Sequence, residues 1–157
     1  MTRPKRLGHL VLRVRELEQS EQFYTDTLGL EVTGRIPNRM VFMGADPHSS
    51  HELALVAVGP DAPGPEKDRV GLYHFAWEME SYDQLRKLYQ ELKQKDISIA
   101  GIGDHGISMG VYFFDPDGNE IEAFYELPRD QWPEGGVTTG AKFPGGSLEE
   151  EPAAKVS

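Results

Sequence analysis

Apolar positions along the chain alternate between two periods, and the whole alternation runs through the chain twice. Leu7–Val14 (LGHLVLRV) reads as a strand with His9, Val11 and Arg13 on one face. Arg15–Leu28 follows with helical spacing at Leu17, Phe23/Tyr24 and Leu28, and Gly29 is its stop signal. Leu30–Val32, Arg39–Met43 and His51–Val58 are short strands separated by Gly, Pro, Asn and Ser turns. GPDAPGPEKDR (59–69) has no hydrophobic period and reads as a linker. The order then recurs. Gly71–Met79 is a strand, and Ser81 opens a helix through Lys95 with Gln84 in the capping-box place and a Leu85/Leu88/Tyr89/Leu92 stripe. Ile97–Ile99 is a short strand, and Gly110–Glu126 is a hairpin: Val111–Phe114, the turn DPDGN, and Glu120–Glu126. In that last strand Ile121, Ala123 and Tyr125 share one face, and Glu120, Glu122, Phe124 and Glu126 share the other.

Spacing supports an internal duplication. Setting His9 on His74 also sets Tyr24 on Tyr89, each 15 residues further on. Asp46-Pro47 matches Asp115-Pro116 at a separation of 69 residues, a register that places His51 on Glu120 and Leu53 on Glu122. The expected fold is α+β: two tandem βαβββ modules, about 7–58 and 71–127 with a linker at 59–70, forming a pseudo-symmetric, cleft-bearing mixed β-sheet. They make up a single domain over 1–132. From Pro133 the chain turns rich in Gly, Pro and Glu, so 133–157 is expected to be a flexible acidic tail without a burial face.

Composition narrows the function classes. The net charge of −10 disfavours nucleic acid as a partner. No run approaches the roughly 18 apolar residues of a membrane span, and MTRPKRLGH lacks a signal-peptide core, so a cytoplasmic location is expected. The absence of cysteine removes disulfides, thiolate zinc sites and cysteine nucleophiles together.

Glu122 projects from a strand that should be at least half buried, and a carboxylate there needs a cation or a donor. His9 and His74 occupy the first strand of each half. Two imidazoles and one carboxylate form the facial triad that binds non-haem Fe(II), with positions left open for ligands. Taken singly, each histidine also reads as an ordinary hydrogen-bonded strand residue, and both readings stand at this point.

The motifs LGHLVLRV, FYTDTLGLEV, GLYHFAWEM and DPDGNEIE give the chain a plain resemblance, over about Leu7–Trp132, to the vicinal oxygen chelate superfamily. That superfamily includes glyoxalase-like isomerases, bleomycin-resistance-type binding proteins and extradiol dioxygenases. The resemblance implies a metal held by His9, His74 and Glu122: Fe(II), with Mn(II) or another divalent ion accepted by the same donors. Glyoxalase-like isomerases take a fourth ligand from the last strand of the first half, and the Asp46/Asp115 register puts Leu53 there. HELAL (51–55) resembles the HDxAL of extradiol ring-cleavage enzymes, which implies His51 as acid/base. DHG (104–106) and Tyr112 resemble the same branch, which implies that His105 and Tyr112 line the substrate side. The implied substrates are a small catecholic diol and O2, and the implied assembly is a homo-oligomer. A metal-dependent isomerase or lyase and a small-molecule (drug) binding protein are the rival readings.

Overall fold

Each half of the chain folds into a four-stranded mixed sheet with one helix on it. A computed structural model of the chain describes residues 1–134 and 140–149. The elements run β1 (Leu10–Val14), α1 (Leu17–Leu28), β2 (Glu31–Ile36), β3 (Met40–Gly44), β4 (Leu53–Ala57), β5 (His74–Glu78), α2 (Tyr82–Gln94), β6 (Ile99–Asp104), β7 (Ser108–Phe114) and β8 (Glu120–Glu126), with a short 3-10 turn at Arg129–Gln131. The strand orders are β1-β4-β3-β2 and β5-β8-β7-β6. In both sheets the first strand pairs parallel to the last and the others pair antiparallel. The fold is therefore α+β with tandem βαβββ modules.

Two compact units result, the first of Met1–Asp68 with Asp115–Gly118, the second of Arg69–Phe114 with the described residues from Asn119 onward. In the first unit α1 packs on β3 and β4. Its core holds Val14, Tyr24, Leu30, Met43, Leu53 and Leu55 at 0–1% exposure. Ser20, Tyr24 and Thr27 are the buried face of α1. The buried Tyr24 hydroxyl donates to Asp115 Oδ2 at 2.8 Å. The neighbouring Asp117 accepts from the Arg15 backbone N–H and, at 2.8 Å, from the Arg15 guanidinium. The DPDGN turn is shaped by its own acids: the Asp117 N–H reaches Asp115 Oδ1 at 2.9 Å, and Gly118 takes φ 86°.

In the second unit α2 packs on β7 and β8 through Leu85, Leu88, Tyr89 and Leu92, the stripe read from the sequence. Ser81 caps the helix by accepting from the Gln84 N–H, while the Gln84 side chain turns to Glu80. Ile121 and Ala123 of β8 are fully buried and Glu122 is only partly so, as alternation requires.

Two stretches differ from expectation. The expected strands end at Ile99 and resume at Val111, yet β6 extends to Asp104 and β7 begins at Ser108. Gly101 and Gly103 hide the strand from propensity. Residues 140–149, expected to lack a burial face, lie against the second unit with Phe143 at 5% and Leu148 at 1% exposure. Burying each side chain is worth about 1.5–3 kcal/mol. Two isolated apolar residues among Gly, Pro and Glu make no period, so sequence pattern misses them. The other residues of the expected tail, 135–139 and 150–157, lie outside the described residues.

Candidate metal centre

The second unit gathers four of the singled-out side chains into one line, three of them joined by hydrogen bonds and the fourth in ion-pair contact. His74 opens β5, Tyr112 lies on β7 and Glu122 on β8, where register sets Tyr112 directly opposite Glu122. The Tyr112 hydroxyl donates to Glu122 Oε1 at 2.9 Å. His105 Nε2 lies 3.2 Å from the same hydroxyl, whose proton is already committed, so the network assigns the histidine as the donor. The other carboxylate oxygen, Oε2, faces His74 Nε2 at 3.3 Å. The His74 and Tyr112 rings meet edge to face at 5.4 Å. Burial, followed by the hydrogen bond and charge of Glu122, raises the Tyr112 phenol well above its ordinary range. Tyr112 is accordingly a hydrogen-bond donor at neutral pH.

Bare backbone makes room for this line. Gly103 and Gly110 are paired across β6 and β7. A Cβ on Gly110 would come within 2.6 Å of Glu122 Oε1, and one on Gly103 within 2.9 Å of the Tyr112 ring and 3.0 Å of His105 Nε2. Both are required by the site. The available signal was glycine in a strand interior, where it otherwise weakens the strand.

The first unit brings together His9 and His51. Their ring centroids are 4.6 Å apart, and Phe42 meets His51 edge-on at 5.1 Å. Ser50 Oγ lies 3.1 Å from His51 Nδ1, leaving Nε2 without that contact. Glu52 bends back to accept the Ala45 N–H at 2.9 Å, which fixes the turn leading into His51. Burial opposes ionisation of Glu52, but its hydrogen bonds from Ser49, Ala45 and Asp46 outweigh burial and hold its carboxyl below the usual range. His48 is exposed.

Strand register corrects the pairing of the repeats. With His9 matched to His74, Leu10 matches Phe75, and their partners across the parallel pairs are Leu53 and Ile121. Both partners are fully buried. Glu122 therefore corresponds to Ala54, Glu120 to Glu52, and Asn119 to His51. Leu53 faces the core and not the fourth-ligand slot. The antiparallel pairs agree: Ala54 lies opposite Phe42 as Glu122 lies opposite Tyr112.

A divalent cation suits the His74–Glu122 pair. Adjacent donors on an octahedral ion with bonds of about 2.1 Å stand about 3.0 Å apart, close to the 3.3 Å between His74 Nε2 and Glu122 Oε2. One carboxylate oxygen is tied off by Tyr112, and the other is aimed at the imidazole. His74 Nδ1 is buried without a partner among the described residues, the kind of atom that needs an explanation. Among the described residues no group of three His, Asp or Glu side chains is gathered tightly enough to hold a metal. His9, the third expected ligand, belongs to the first unit.

Residues 6–123 match the family profile of the Glyoxalase/Bleomycin resistance protein/Dioxygenase superfamily. A catechol-2,3-dioxygenase of Bacillus subtilis (strain 168) is 36% identical over 127 residues, 80% of this chain and 43% of that one. Biphenyl-2,3-diol 1,2-dioxygenase 3 of Rhodococcus globerulus is 36% identical over 125 residues, 78% of this chain and 64% of that one. The chain thus spans less than two thirds of the length of either relative. A crystal structure of a glyoxylase/bleomycin resistance protein/dioxygenase domain from Frankia sp. EAN1pec shares the fold with a TM-score of 0.66 at 23% identity, covering 79% of this chain and 99% of that one. By the match over most of its length, the chain belongs to the Glyoxalase/Bleomycin resistance protein/Dioxygenase superfamily.

Proposed function

We propose that the chain is a metal-dependent extradiol dioxygenase that opens a catecholic ring with O2, using His9, His74 and Glu122 as ligands to Fe(II) or Mn(II). The observation that carries this reading is the divided carboxylate of Glu122. Tyr112 holds one oxygen at 2.9 Å, and the other faces His74 Nε2 at 3.3 Å. His9 is taken as the third ligand because it holds in the first module the place that His74 holds in the second. When bound, the metal supplies Lewis acidity for ionising a vicinal diol and redox coupling to dioxygen.

The remaining roles fall to this chain's own side chains. Tyr112 keeps its proton and orients Glu122 by donating a hydrogen bond to Oε1. His105 donates to Tyr112 and settles which way that hydroxyl points. His51, packed on His9 and with its Nδ1 against Ser50 Oγ, would use Nε2 to accept the proton of a substrate hydroxyl and return it, a task suited to imidazole. Ala54, the counterpart of Glu122, has no ligating atom, so the first sheet would supply no fourth ligand at that place.

The test is metal analysis of anaerobically purified protein, followed by oxygen uptake with a panel of catechols. Bound iron or manganese with uptake matched to ring-opened product is the expected result. Turnover supported by nickel, cobalt or zinc without oxygen uptake would replace this reading with an isomerase.

A further inference from the structure

We propose that residues 140–149 are a strap that positions His105, and that Asp104 is the positioning residue through which the strap acts. The inference rests on the proposed function only for what the positioning serves.

His105 is exposed, so packing of its own ring does not orient it. Its direction toward Tyr112 is inherited from the backbone of the short loop between β6 and β7. That loop is closed by the His105 N–H donating to the Ser108 carbonyl at 2.9 Å, and the Leu127 N–H ties its far side to the Ile107 carbonyl at 2.8 Å. The near side depends on a single oxygen. Asp104 Oδ1 accepts the Gly106 N–H at 3.0 Å and, also at 3.0 Å, the Phe143 N–H. One bond shapes the turn around His105, and the other fastens it to the strap. Gly106 has φ +76°, and a Cβ there would meet the Ala141 carbonyl oxygen at 2.6 Å, so strap and loop touch backbone to backbone. Lys142 Nζ stands 3.8 Å from Asp104 Oδ2.

The strap is itself anchored on α2. Phe143 is buried against Tyr82, with centroids 4.9 Å apart, and lies edge-on to Tyr125 at 6.3 Å. The Tyr82 hydroxyl donates to the Gly146 carbonyl at 2.6 Å, and Arg86 donates to the Gly145 and Ser147 carbonyls at 3.3 and 3.2 Å. Leu148 closes the far end at 1% exposure. A continuous line therefore runs from α2 through Phe143 and Asp104 to His105, Tyr112 and Glu122. Its first links have no chemistry of their own, which is what a positioning element looks like.

Three full-length variants test it. Asp104→Ala removes the shared acceptor, Phe143→Ala removes the anchor while leaving Asp104 in place, and Asp104→Asn keeps Oδ1. Amide hydrogen exchange across 104–108, read by mass spectrometry on metal-free protein, should rise about tenfold or more in the two alanine variants. It should stay near the parent rate in Asp104→Asn. Oxygen uptake should show kcat reduced about tenfold with KM little changed in Asp104→Ala, and Asp104→Asn should restore it. In a His105→Ala background, Asp104→Ala should cost nothing further, because its effect passes through that ring. Unchanged exchange in both alanine variants would overturn the strap. Raised exchange with parental kcat, or an undiminished effect without His105, would overturn its positioning role. A parent protein that takes up no oxygen with any diol would sink the dioxygenase reading, while the exchange data would still decide whether the strap holds the loop.

Discussion

The two sheets share a strand plan, yet they differ at the positions where chemistry is expected. Where the second has Glu122 opposite Tyr112, the first has Ala54 opposite Phe42. Where the second pairs Gly103 with Gly110, the first pairs Ile36 with Met40. These are coupled differences. A carboxylate and a phenol on neighbouring strands need a floor without side chains, and the second sheet gives up two Cβ positions to supply it. The first sheet keeps those side chains and holds only a histidine pair. One duplicated frame thus carries a polar line in one copy and an apolar version in the other, with the buried faces left alike.

The strongest break of that comparison is Leu53→Glu against Ala54→Glu. Leu53 is fully buried on the core face, so a carboxylate there should destabilise by roughly 4 kcal/mol or more and lose the fold. Ala54 is buried as well, so Ala54→Glu should fold only when Phe42→Tyr supplies a donor and Ile36→Gly with Met40→Gly supplies the bare floor that the second sheet has at Gly103 and Gly110. On the proposed function that quadruple variant should bind divalent metal at least as tightly and lose oxygen uptake. Urea unfolding, metal affinity and oxygen uptake report these outcomes. Equal tolerance of both glutamates would break the register.

Next in size is Glu122→Ala, which should abolish metal retention while circular dichroism stays native. Full metal content in that variant would remove Glu122 from the ligand set. His51→Ala should keep the metal and slow turnover by about 10²–10⁴-fold, the usual contribution of an acid/base group. Loss of metal instead would make His51 a ligand.

The smallest effect sharpens the comparison inside the helices. Tyr24 and Tyr89 are repeat partners, but only Tyr24 donates to a buried carboxylate, while Tyr89 carries Lys93 over its ring at 5.3 Å. Tyr24→Phe leaves Asp115 short of a donor and should cost about 1–3 kcal/mol, against about 0.5 kcal/mol or less for Tyr89→Phe. Burial, then the charge and hydrogen bond of Asp115, raise the Tyr24 phenol well above its ordinary value. Above pH 10 the unfolded chain gives up that proton while the native one keeps it, so this part of the stability falls as pH rises. Urea unfolding at pH 8 and pH 11 should show a steeper decline in the parent than in Tyr24→Phe.

The sequence by itself determined the frame: the duplication, the α2 stripe, the inward face of Glu122, and the candidacy of His9, His51, His74, His105, Tyr112 and Glu122. The α1 spacing was met only at Tyr24, because Ser20 and Thr27 complete that buried face while Leu17, Phe23 and Leu28 are half-buried. Those properties are written in local period and in spacing between like residues. Tertiary structure decided the register. Met43 to Ala54 spans 11 positions and Phe113 to Glu122 spans 9, so the Asp-Pro motif inside turns of unequal length misplaces the last strand by one residue. In a strand one residue reverses the face, and Leu53 changes from a proposed ligand slot to core. Tertiary structure also decided that Gly103 and Gly110 belong to the site and that Phe143 and Leu148 bind residues 140–149 to the second unit. Neither could be read along the chain, because a glycine's empty space and a lone apolar side chain acquire meaning only from the neighbours that fill or cover them.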